Sequence, residues 1–72
     1  MLRAGKAIRL TAPEVERFIR LTGFEPGNVK SLADLDAYVA VCKHYYRGRS
    51  RDAAVLRRRI DRQRARCLAA VP

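Results

Sequence analysis

The sequence has little of what most catalytic and metal-binding centres require. Its 72 residues include one histidine, His44, two cysteines, Cys42 and Cys67, and no tryptophan. The cysteines form no Cys-x-x-Cys, and His44 lies two residues from Cys42, a spacing that turns the side chains apart on a helix. No metal or other cofactor is expected. There is no Ser-His-Asp arrangement, paired-carboxylate site or glycine-rich phosphate loop, so the reading is of a binding protein and not an enzyme. Both thiols fall on apolar stripes and are expected to be free and buried, which suits a reducing cytoplasm. No apolar run approaches the roughly 18 residues of a transmembrane helix. The opening Met-Leu-Arg-Ala-Gly-Lys lacks the apolar core of a signal peptide, so neither secretion nor a membrane partner is expected.

Acidic residues are scarce too. Seven stand against 16 basic ones, for a net charge of +9. Thirteen of the basic residues are arginine, and nine lie between residues 47 and 72, where only Asp52 and Asp61 oppose them. Such a field favours an acidic partner. A GC-rich genome, which the eleven alanines also suggest, would inflate arginine without any ligand.

The length allows a single small domain, residues 1–72. A chain this short buries only roughly 60% of the surface its unfolded form exposes, and dimerisation is a common way to bury more. The expected fold is mainly α: a short N-terminal strand and three helices, as an intertwined homodimer with some ribbon-helix-helix character. Residues 6–10 alternate, with Ile8 and Leu10 on one face, and read as a strand. No second strand is evident in the chain, so the expected partner is the same strand of another copy across a two-fold axis; a loose arm is the alternative.

Helix signals follow. Thr11-Ala-Pro-Glu14 has the form of a capping box with proline in the first turn and opens a helix over 12–22 that Gly23 ends. Its expected buried face is Val15, Phe18, Ile19 and Thr22. Ser31 and Asp34 open a second helix over 31–47, which Gly48 ends. One of its stripes is Leu32, Leu35, Val39, Cys42 and Tyr46; a second is Tyr38, Val41 and Tyr45. Ser50 and Asp52 open a third helix over 51–69, with Leu56, Ile60, Gln63 and Cys67 on a narrow apolar stripe and arginines over most of the rest.

Three kinds of partner come into view. Strand, helix, turn, helix is the element order of ribbon-helix-helix repressors, which would give Arg9 and Thr11 a DNA-reading role. Asp34 and Asp36 argue against it, since they put negative charge in the turn that should meet phosphate. The run from Arg57 to Arg66 resembles arginine-rich RNA-binding helices and would act through Arg57, Arg58, Arg62 and Arg66. The tyrosine stripe of the second helix would suit a protein interface: Tyr38, Val41, Tyr45 and Tyr46, with Arg47 on the rim.

The stretches Leu10 to Gly23, Ser31 to Val39 and Tyr45-Tyr46-Arg47-Gly48 resemble small early-region proteins of Mu-like phages, of the quorum-sensing anti-activator type. That resemblance implies a small helical dimer in the host bacterial cytoplasm. It further implies inhibition by occlusion of a bacterial regulatory protein, through that protein's helix-turn-helix domain. The expectation drawn from it is therefore a phage-encoded anti-activator, to which the arginine-rich C-terminal third adds weak, nonspecific nucleic-acid binding. A DNA-binding transcriptional regulator and an arginine-rich RNA binder are the alternatives.

Overall fold

The chain begins with a β-hairpin followed by three helices. The computed structural model describes residues 1–71. Strand β1, Leu2–Ala4, pairs antiparallel with β2, Ala7–Arg9, in the register Leu2↔Arg9, Arg3↔Ile8 and Ala4↔Ala7. Gly5, at φ 59°, supplies the positive φ that a two-residue type II′ turn needs at its first central position. The strand expected at residues 6–10 therefore finds its partner inside the chain. Its other edge is also engaged, because the Ile8 N–H donates to the Lys30 carbonyl at 2.9 Å and Ala7 bridges Ser31. An in-chain hairpin thus takes the place of the inter-copy pairing. The expected alternation does hold: Ile8 and Leu10 are buried, while Ala7 and Arg9 are exposed.

Helix α1, Ala12–Thr22, begins on the capping box. Thr11 Oγ1 accepts from the Glu14 N–H, and the Glu14 carboxylate accepts from the Thr11 N–H at 2.8 Å. Gly23 ends it in the left-handed region at φ 77°, donating to the Ile19 carbonyl. Its buried face is Glu14, Phe18 and Thr22, with Val15 half-buried; Ile19, expected inside, is 39% exposed. The face is displaced because Glu14 is drawn inward to accept from the Met1 ammonium group at 2.9 Å.

Helix α2, Leu32–Tyr45, stops at Tyr46, two residues short of Gly48. Ser31 caps it, but the Asp34 carboxylate accepts from the Lys30 N–H and does not reach back to Ser31. Helix α3, Arg51–Ala69, is capped by Ser50. Both other helices pack against α3, and two ion pairs tie α2 to it: Arg64 bonds Asp36 at 2.6 Å, and Lys43 bonds Asp61 at 3.1 Å. The core is formed by Phe18, Leu35, Val39, Cys42, Ile60 and Cys67, closed at one end by Met1, Ile8 and Leu10. Both cysteines are free and buried, as expected. No helix among the described residues is long and apolar enough to cross a membrane.

Glu14 couples this end of the fold to pH. Burial alone would raise its pKa, but the Thr11 N–H, the Met1 ammonium group and the Thr11 hydroxyl outweigh burial and hold it below the ordinary 4.5. A carboxylate whose folded pKa lies below its unfolded one adds stability that is present above about pH 4.5 and fades as pH falls through the folded value. Glu14→Gln should therefore lower the urea midpoint at pH 7, and the gap to the parent protein should close on acidification.

Candidate functional site

The interface residues expected on α2 divide into two groups. Tyr38 is not spare surface. Its ring meets Phe18 edge-on at 5.3 Å, its hydroxyl donates to the Phe24 carbonyl at 2.7 Å, and it lies 2.9 Å from Thr22 Oγ1. Burial pushes its phenol pKa up, so the hydroxyl stays protonated and able to donate. Tyr46 is half-buried and donates to the Thr22 carbonyl at 2.6 Å. Arg47 donates to the His44 carbonyl at the end of α2. Tyr38 and Tyr46 brace the turn between α1 and α2, while Arg47 caps the end of α2. Val41 and Tyr45 are outside, 64% and 63% exposed, with the Phe24 ring edge-on to Tyr45 at 4.9 Å.

The expected nucleic-acid residues divide as well. Thr11 is spent on capping α1, its hydroxyl held by Glu14. Arg57 turns inward and donates to the carbonyls of Tyr46 and Gly48 at 2.7 and 2.8 Å, clamping the α2–α3 loop. Arg9 stays on the outer hairpin surface, and Arg58 is exposed on α3. Arg62 and Arg66 remain, and these two open onto a concavity on the surface.

That concavity is a groove between α1 and α3, with a volume of about 510 Å³. The two helices are antiparallel, so Arg17 and Arg20 of α1 stand across from Arg59, Arg62 and Arg66 of α3. Leu21 and Gln63 complete the lining. Five arginines thus line one space with no acidic side chain in its lining. Arg20 alone of the five has an ion pair among the described residues, to Glu16 at 2.7 Å on the exposed side of α1. Arg17 and Arg20 were not singled out in the sequence, because nothing local in α1 says which helix they will face.

Beneath the groove runs a short polar chain. Gln63 Nε2 donates to Cys67 Sγ at 3.8 Å, and Cys67 lies against Glu14. Burial and the adjacent carboxylate push the Cys67 thiol up to about 11, so it stays protonated and unreactive at neutral pH. No group of three His, Cys, Asp or Glu side chains among the described residues could hold a metal ion. No protein-family model, curated protein or solved structure matches the chain.

Proposed function

We propose that the protein binds nucleic acid, holding the phosphate backbone in the α1–α3 groove between the arginines of the two walls. The observation that carries this reading is the set of five arginines lining one groove with no carboxylate in its lining. Guanidinium forks match phosphate oxygens two at a time, and weak hydration makes them cheaper to desolvate than ammonium groups. The four arginines without an ion pair also repel one another across the groove, and an anion seated there relieves that repulsion.

The test is fluorescence anisotropy of a labelled oligonucleotide across a salt series. Counterion release sets the slope of log affinity against log salt at about −0.7 per phosphate neutralised on a single strand, so the roughly three phosphates that a groove of this length spans should give about −2. A slope near zero would remove the groove from consideration as a phosphate site.

The outer face of α2 supports a second reading, the anti-activator type expected from the sequence. Val41, Tyr45 and Phe24 form an exposed patch that could occlude the helix-turn-helix domain of a bacterial regulator, in a homodimer or alone. It ranks second on charge, because such domains present a basic face to DNA and a chain of +9 is repelled by them. Capture of a helix-turn-helix domain that survives nuclease treatment and is lost on Tyr45→Ala would favour it over the first.

A further inference from the structure

Two details of the groove decide which form of nucleic acid it can take. The first is shape. The major groove of B-DNA is about 12 Å wide and an α-helix with its side chains about 10–12 Å across, so a duplex is read by one protruding helix. Here Arg59, Arg62 and Arg66 do not protrude alone, because α1 stands beside them with Arg17 and Arg20. Two packed helices, with axes about 8–10 Å apart, are roughly 20 Å across and cannot enter a major groove together. The space between them, about 510 Å³, falls within the roughly 300–1,000 Å³ of sites that enclose a small molecule. It has room for a nucleotide or two of one strand and none for a duplex. Arg59 to Arg66 covers about 10 Å of α3, the rise of about three nucleotides of a stacked strand.

The second detail is Gln63, which lines the groove while only 6% exposed. Its amide makes one hydrogen bond among the described residues, the 3.8 Å contact to the weak acceptor Cys67 Sγ. No fully buried side-chain polar atom there lacks a partner, so the unbonded Oε1 of Gln63 keeps some accessible surface, and Gln63 lines the groove. A recessed amide with unused hydrogen-bonding capacity calls for an explanation. Phosphates of a duplex resting on the rims would not reach it. The sugar hydroxyl or base edge of an unpaired nucleotide would, and a glutamine amide matches the paired donor and acceptor of an adenine edge.

We infer that the groove seats one unpaired nucleic-acid strand, its phosphates between the two arginine walls and one sugar or base edge on the Gln63 amide. This rests on the nucleic-acid reading above. It is tested by anisotropy with a short labelled single strand, the blunt duplex of the same sequence, and ATP as competitor, all at physiological salt. The single strand should bind at least about tenfold more tightly than the duplex, and a longer strand more tightly than a shorter one. Gln63→Met, which keeps the side chain's length and removes its amide, should weaken strand binding about fivefold, the worth of one hydrogen bond, and leave duplex binding unchanged.

Equal or tighter duplex binding overturns the inference while leaving the phosphate groove standing. Absence of binding to either form overturns both. Displacement of the strand by micromolar ATP, with no gain from strand length, assigns the seat to a free nucleotide and also overturns it. Should Gln63→Met lose its helical circular-dichroism signal, Arg17→Gln on the exposed α1 wall takes its place. It should weaken strand binding about threefold, roughly the share of one phosphate contact at physiological salt. Unchanged strand binding in Arg17→Gln overturns the two-walled seat.

Discussion

Arg62→Glu combined with Arg66→Glu should reduce oligonucleotide affinity by at least about a hundredfold at physiological salt. Each guanidinium–phosphate contact near 4 Å in a water-like dielectric is worth about 1 kcal/mol, and reversing the charge turns that attraction into a similar repulsion. Two reversals thus remove roughly 4 kcal/mol before screening, and salt at a Debye length of about 8 Å takes back part of it. The fold should survive, because both side chains are exposed and neither makes an ion pair among the described residues. A charge-matched control separates site from field. Arg51→Glu with Arg58→Glu changes the net charge equally, but neither residue lines the groove. Equal losses in the two double variants would mean that net charge alone attracts the oligonucleotide and that the groove is no site.

Two of that groove's five arginines were legible in the sequence as site residues. Arg62 and Arg66 stand out because they belong to a run of arginines four residues apart on one helix. The α1 wall was not legible. Arg17 and Arg20 look like ordinary solvated positions until the antiparallel pairing of α1 with α3 sets them opposite the run. Helix limits were easier, since they rest on local chemistry. The Thr11–Glu14 capping box starts α1, and Ser50 starts α3, at the residues expected. The hairpin escaped because β1 has only three residues, all exposed, and so offers no apolar alternation to detect. Gly5-Lys6 was its one sequence signal, a two-residue loop beside an alternating segment.

Tyr38→Ala should cost about 3 kcal/mol of stability, where the sequence pattern alone would have it cost only partner binding. On a helix Tyr38, Val41 and Tyr45 share a face by spacing, and spacing cannot say how far that face curves away from its neighbour. The turn at Gly23 and Phe24 decides the matter by bringing the Phe24 carbonyl and the Thr22 hydroxyl to the Tyr38 end of the stripe. Removing the ring empties space against Phe18, which is fully buried, and takes a hydrogen bond from the Phe24 carbonyl; large-to-small core changes of this kind cost roughly 3–5 kcal/mol when burial is complete. Tyr38 is only half-buried, which places it at the low end. In a domain this small about 3 kcal/mol should lower the melting temperature by roughly 15–20 °C, readable by circular dichroism. Tyr38→Phe keeps the ring and loses only the hydroxyl, for about 1 kcal/mol. Tyr45→Ala, seven residues along the same stripe, should leave the melting temperature nearly unchanged because Tyr45 is 63% exposed. If Tyr38→Ala melted with the parent protein, the brace between α1 and α2 would be wrong and the whole stripe would be free for a partner. The contrast between the two tyrosines therefore bears on function as well as stability: only the Tyr45 end of α2, beside Val41 and Phe24, can meet a protein without first unmaking the fold.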